Sequence, residues 1–233
     1  MYRRHCAILR KLMSMVYRDS HGRTLDDYPR PSVAVDTAVL TVPPDGELSV
    51  IVITAGQGAT DDAESALDRL PGTFLHPGET LAEAVRRSLR TKAGINGLRP
   101  RQLHVFDEPE RDPRGWVLSV AHADTVPAEQ LNTRSSAARL EPVAKLTSLA
   151  YGHSAIVALA VKQLREQYLA TPDPAGLLHA RFTLRELHAL HETVAGTPLQ
   201  RDTFRRAMIG HLNATGERSS GGMGKPAELF QIS

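Results

Sequence analysis

The chain has 233 residues, with 28 Lys and Arg against 26 Asp and Glu and a formal net charge of +2. Hydrophobic residues make up 41% and charged residues 23%, the proportions of an ordinary globular protein of one large or two modest domains. No run of about 18 apolar residues offers a membrane span. The single cysteine, Cys6, excludes an intramolecular disulfide and argues against a cysteine-based zinc site, as suits a reducing cytosol. The total charge is too small to argue for nucleic acid, so its distribution has to carry that question.

Residues 1–30 carry Arg3, Arg4, Arg10, Lys11, Arg18, Arg23 and Arg30 against Asp19, Asp26 and Asp27. Tyr2 to Tyr17 has the pattern of a basic amphipathic helix, as in a weak targeting signal. The preferred reading is a flexible extension, because Met13 and Met15 offer later starts and regular patterning begins only near Ser32. From Ser32 to Val42 the chain alternates around Val33, Val35, Thr37, Val39 and Thr41, and Leu48 to Thr54 is a β-branched run, so two strands are predicted. Pro43-Pro44-Asp45-Gly46 turns between them. Ala55 to Asp68 reads as an exposed loop.

Leu70-Pro71-Gly72-Thr73-Phe74-Leu75-His76-Pro77-Gly78-Glu79-Thr80 runs into an amphipathic helix from Leu81 to Ala93, with Gly94 as C-terminal cap. The stretch resembles a Nudix box, a loop-helix-loop whose glutamates hold divalent cations against a pyrophosphate. Glu79, Arg87, Leu89, Gly94 and Ile95 match its pattern. Thr73 stands at the first glycine, and Ser88, Thr91 and Lys92 stand where three later glutamates belong. Magnesium requires hard oxygen ligands, and metal-assisted hydrolysis depends on the ion. Thr91 and Lys92 supply no carboxylate, whereas an ammonium at position 92 repels a metal yet pairs with phosphate. The reading is therefore of a nucleotide site without hydrolysis: no catalytic residues, no metal, no required cofactor. Glu79, Arg87, Lys92 and Phe74 are the candidate ligand-binding residues. An enzymatic alternative is a pyrophosphohydrolase in which Glu79 and Glu83 act with Asp107, Glu108 or Glu110 as substitute ligands.

Strands follow at about Gln102 to Glu108 and Trp116 to Ala123 around a turn from Pro109 to Gly115. Ser148 to Leu169 reads as a long helix with Ile156, Leu159, Ala160 and Leu164 on one side, stopped by Thr171-Pro172-Asp173-Pro174. Beyond Leu177, Thr183 and Glu186 form a capping box for a helix that runs to Gly196. A second helix is expected from Gln200 to Ala214, burying Phe204, Ala207, Met208, His211 and Leu212. Thr215 to Pro226 reads as a glycine-rich tip, and Ala227 to Ile232 alternates like an edge strand. Helix, turn, helix, loop and strand suggest a winged helix-turn-helix. Residues 199–226 contain five Arg or Lys and two acids. Gln200, Arg201, Thr203, Arg205, Arg206, Arg218 and Lys225 are the candidate DNA contacts, whereas Phe204 belongs to the core.

Taken over residues 31–233, the chain resembles the Nudix-related transcriptional regulators of NAD metabolism in bacteria. Phe182-Thr183-Leu184-Arg185-Glu186-Leu187, Gly196, Leu199, Phe204-Arg205-Arg206 and Gly224-Lys225-Pro226-Ala227-Glu228-Leu229-Phe230 are similar to their winged-helix signature. Leu149-Ala150-Tyr151-Gly152-His153 is similar to the opening of their linker helix, with Gly152 where an Asp is usual and Thr203 where an Asn is usual. The resemblance implies a Nudix-like α/β/α sandwich with a mixed sheet, followed by a winged helix-turn-helix domain. The expected division is an extension 1–30, a sensing domain 31–147, a linker helix 148–170 and a DNA-binding domain 177–233. It further implies a cytoplasmic homodimer, nucleoid-associated when bound to a palindromic operator in double-stranded DNA, repressing NAD biosynthesis or salvage genes. The implied effector is ADP-ribose or another NAD-related nucleotide. A third reading, a nucleotide-binding module whose tail docks protein, predicts no salt-sensitive affinity for duplex DNA.

Overall fold

The computed structural model describes residues 17–44, 46–55, 66–131, 135–219 and 226–233. The helix expected from Tyr2 to Tyr17 lies outside them except for its last residue, as do Met13, Met15, Asp45, most of the 55–68 loop and Lys225. Contacts divide the chain into Met1–Pro31 and Ser32–Ser233. In the first unit Thr24 and Asp27 cap a short 3-10 turn, Leu25–Asp27, and the Tyr28 hydroxyl donates to Asp19.

The second unit is built on a six-stranded mixed sheet. Its strands are β1 (Ser32–Thr41), β2 (Ser49–Ile53), β3 (Gly72–Phe74), β4 (Arg101–Phe106), β5 (Val117–Thr125) and β6 (Ala138–Pro142). The order β4-β5-β1-β2-β6 places β1 centrally, parallel to β5, while β2 and β3 share its other edge. Alternation along β1 and β2 gives each face its own core, because successive side chains point to opposite sides. Val35, Val39, Ile51 and Ile53 face helix α1 (Leu81–Ser88), together with its Ala84 and Val85. Ala38, Leu40, Val50 and Val52 face helix α2 (His153–Ala170), which contributes Ile156, Val157, Ala160, Val161 and Leu164. Helices cover both faces, as expected.

Several boundaries differ from the sequence expectation. The box helix is α-helical only to Ser88; Leu89–Ala93 continue as a π-helical turn closed by Gly94 at φ 70. The long helix starts at His153 rather than Ser148, because Tyr151 and Gly152 both take left-handed conformations that cannot propagate a right-handed helix. Strands β3 and β6 were not expected.

After Pro172 the chain forms β7 (Phe182–Thr183), α3 (Leu184–Ala195), α4 (Arg201–Met208), β8 (Leu212–Arg218) and β9 (Glu228–Ile232). The capping box at Thr183 and the left-handed Gly196 cap hold α3 as its sequence demands. The second helix was expected to reach Ala214 but ends at Met208: Ile209–His211 form one 3-10 turn, and Leu212 enters the first wing strand. Ala207 and His211 are accordingly exposed, whereas Phe204, Met208 and Leu212 pack with Phe182, Leu187 and Phe230. β9 lies between β7 and β8 in an antiparallel wing sheet.

Candidate functional site

Asp36 lies on the α2 face of β1, and its carboxylate is buried. Opposite it in the β1–β3 register stands Gly72, whose carbonyl is the partner of the Lys92 ammonium. Ser119 on β5 donates to Asp36 Oδ2 at 2.5 Å, and His153 Nε2 faces Oδ1 at 3.2 Å. The tautomer follows from the other ring nitrogen: Nδ1 accepts the Leu70 amide at 3.0 Å, so the proton sits on Nε2. Burial pushes the Asp36 carboxyl up, but His153, Ser119 and the more distant Arg111 outweigh it and hold the group below the usual carboxylate range.

Above this acid is a cavity of about 170 Å³ lined by Arg69, Phe74, Lys92, Arg111, Asp112, Arg114, Tyr151 and His153 along with Asp36 and Gly72. Four cations thus surround two carboxylates. Burial of the Lys92 ammonium, then the like charge of Arg69, lower its pKa, with Asp36 opposing. Arg114 is oriented by both Asp112 oxygens, at 2.8 and 2.7 Å. Its guanidinium carbon lies 4.1 Å from the Tyr151 ring centroid and 5.1 Å from that of Phe74, a cation–π arrangement. Arg111 donates to the Tyr151 carbonyl at 2.8 Å. Chemically this is a receptacle for a phosphate-bearing group: fixed guanidinium donors, an ammonium and flat aromatic walls.

Of the sequence candidates, Lys92 and Phe74 line the cavity. Glu79 and Arg87 do not. Arg87 binds both Glu79 oxygens at 2.8 Å and reaches Thr73 Oγ1 at 3.0 Å and the Phe74 carbonyl at 2.9 Å, so the pair clasps the box loop to its helix. Arg87 also holds the Glu79 carboxyl down to about 2. Glu83 is used by the Thr80 capping box. Ser88 is buried against the core and Thr91 bonds back to the Arg87 carbonyl at 2.8 Å. Among the described residues no group of three His, Cys, Asp or Glu is arranged to hold a metal ion. Sequence reasoning missed Asp36, Arg69, Arg111, Arg114, Tyr151 and His153. An acid inside an otherwise apolar strand, and two arginines flanking Asp112-Pro113 in a turn, were the available signals.

At the other end, α4 exposes Arg201, Thr203, Arg205 and Arg206 to solvent, with Arg206 opposite Phe204 and Met208 and Arg201 and Arg205 on the flanks. Gln200 has a different task, its side chain accepting the Thr203 amide at 2.6 Å as N-cap. Phe204 is clamped edge-on by His188 and His191, at 4.9 and 4.8 Å between ring centroids, as a core residue. Arg218 is exposed at the end of β8. A helix-turn-helix with a basic second helix beside a two-stranded wing has the shape of a duplex-DNA reader.

The fold and site define a Nudix-fold domain joined to a winged helix-turn-helix. Residues 174–232 match the NrtR DNA-binding winged helix domain family. The chain is 29% identical over 216 residues, covering 88% of itself and 84% of the relative, to the "ADPR responsive transcriptional repressor NtrR" of Acinetobacter baylyi. The crystal structure of Shewanella oneidensis NrtR complexed with a 27mer DNA superposes with a TM-score of 0.66 at 26% identity, covering 86% of this chain and 93% of that one. A shorter match, 34% identity over 90 residues, covers 38% of this chain and 53% of an ADP-ribose pyrophosphatase of Methanocaldococcus jannaschii. Residues 174–232 thus carry a winged helix of the NrtR type, and the chain as a whole is similar to Nudix-related transcriptional regulators.

Proposed function

We propose that the protein is a DNA-binding repressor controlled by ADP-ribose or a closely related NAD-derived nucleotide, which it binds without hydrolysing. The single observation that carries this reading is the cavity, where Arg69, Lys92, Arg111 and Arg114 converge and Lys92 occupies a position at which a hydrolase of this fold would place a metal-binding glutamate. At about 170 Å³ it is smaller than the roughly 300–1,000 Å³ of sites that enclose a whole small molecule. It therefore takes the diphosphate, with the remainder of the nucleotide on the rim near Phe74 and Tyr151. The A. baylyi relative, named an ADP-ribose-responsive repressor, and the S. oneidensis structure bound to DNA support the same pairing of effector and operator.

In this reading residues 31–147 sense the nucleotide, 148–170 join the modules and 177–233 read DNA. Arg201, Thr203, Arg205, Arg206, Arg218 and Lys225 supply the duplex contacts. The protein acts in the cytoplasm on the nucleoid as a homodimer, because two modules reading a palindrome give the affinity that one lacks. Genes of NAD synthesis or salvage are its targets. The hydrolase alternative is disfavoured by the engagement of Glu79 with Arg87 and of Glu83 with Thr80. The decisive experiment is sequencing of genomic fragments retained by the protein with and without ADP-ribose, alongside calorimetric titration of that nucleotide and an assay for AMP release. A recurrent palindrome displaced by a bound, unhydrolysed nucleotide is expected. AMP release at enzymatic rates, or retention without sequence preference, would overturn the reading.

A further inference from the structure

Tyr151 is the one non-glycine residue with positive φ, 58°, among those described. A residue bearing a β-carbon holds that conformation only when its surroundings impose it. Here its surroundings include Arg111, which holds its carbonyl, Arg114, which lies over its ring, and His153, which meets the ring edge-on at 5.9 Å. Both arginines also line the cavity, so an anion entering it and the strained turn compete for the same guanidinium groups.

Immediately after this turn α2 begins, tied at His153 to Asp36 and to the Leu70 amide. The helix then runs unbroken for 18 residues, about 27 Å at the standard rise, on the same core. At its far end the Tyr168 hydroxyl donates at 2.6 Å to Asp173, whose carboxylate also accepts the Leu177 and Leu178 amides and so fixes the joint to the tail. The Tyr168 ring meets His191 edge-on at 5.0 Å, and His191 meets Phe204 of α4 at 4.8 Å. Arg165 Nε donates to the Val194 carbonyl at 2.9 Å, binding α2 to the last turn of α3.

We infer that α2 is the lever through which an anion in the cavity moves the DNA-reading helix, with the Tyr151 turn as its catch and Tyr168, Arg165 and His191 as its coupling to α3 and α4. The inference rests on the nucleotide reading above. A ligand that draws Arg111 and Arg114 onto its phosphates favours the relaxed turn, and the equilibrium shifts by the difference in its affinity for the two arrangements.

The test uses the full chain, ADP-ribose as probe, calorimetry for binding and hydrogen exchange for the response. In the wild type, the nucleotide should change amide protection both at 150–153 and at 201–208. Tyr168→Phe and Arg165→Met, both remote from the cavity, should bind ADP-ribose as the wild type does and keep the response at 150–153, but lose it at 201–208. Cooperative melting of each variant confirms the fold, and either variant alone suffices. Wild-type binding with no change at 201–208, or an undiminished response there in both variants, overturns the lever while leaving the nucleotide reading intact. Failure of the wild type to bind overturns both.

Discussion

Gly72 faces Asp36 so closely that a β-carbon at position 72 would lie 1.9 Å from Asp36 Oδ1 and 3.2 Å from the Val35 carbonyl. The glycine of Leu70-Pro71-Gly72 is thus a requirement of the buried acid across the strand pair, independent of any need for an unusual φ. Since Asp36 is fixed by Ser119 and His153, it has nowhere to retreat. Gly72→Ala should destabilise the protein by about 1–3 kcal/mol, the cost of overpacking a close-fitted interior, and should also weaken ADP-ribose binding. Urea denaturation and calorimetry check the two effects; unchanged stability would mean that Asp36 can move.

Lys92 and Arg87 separate ligand binding from loop bracing. Removing the ammonium with Lys92→Ala should weaken ADP-ribose binding by about 1.5–3 kcal/mol, the worth of a hydrogen bond to a charged group, with little change in melting temperature. Arg87→Met should do the reverse, loosening the box loop and lowering the melting temperature while affecting affinity less. Equal losses of affinity would place Arg87 in the site after all.

Arg205→Ala and Arg206→Ala should each weaken operator binding without altering the fold, because both side chains are exposed on α4. Loss of a base contact costs about 1–3 kcal/mol at one position, whereas loss of a phosphate contact lowers affinity for all sequences and reduces the salt slope by about one. Titrations at two salt concentrations distinguish these. Wild-type operator binding by both variants would remove α4 as the reader.

Acid should destabilise the junction before it destabilises the carboxylate contacts. Burial depresses the pKa of His191 despite the Pro172 carbonyl and Asp173, which favour the charged form, and His188 adds to the depression; burial also depresses that of His122. The unfolded chain takes up these protons near pH 6.5 while the folded one resists, so stability is full above that pH and falls as the solution becomes more acid. Glu79, held down to about 2, acts in a lower window: its stabilisation is full above about 4.5 and is lost as pH falls toward 2. Denaturation midpoints measured from pH 8 to 5 should decline, and His191→Gln should flatten the curve.

The strands that carry the sheet were legible because Val33 to Thr41 and Leu48 to Thr54 alternate or run β-branched at a spacing only strands bury. β3 was not, since its three residues gain their strand geometry by pairing with β1. β6 was hidden by Arg139 and Glu141, which suit an exposed sheet edge. The end of α4 was overrun because Phe204, Met208 and Leu212 keep a helical spacing although Leu212 is already strand; Gly210 was the break signal. Of the four ligand candidates named in the box, Phe74 and Lys92 line the cavity, and they are a minority of its lining. The rest comes from β1, from the turn before β5 and from the entry to α2, and only the fold brings those segments together.

Leu190 and Val194 of α3 are buried in the same cluster as Val50, Val52 and Ile156, whereas Leu187 on the same helix belongs with Phe204 and Phe230. One helix is therefore interior wall to both modules. The tail is not an interchangeable cassette: a chimera that kept this sensor and took another reader would have to inherit Leu190, Val194 and the Arg165 contact with it, and a cut at the Pro172–Pro174 joint would strip apolar surface from the sensor.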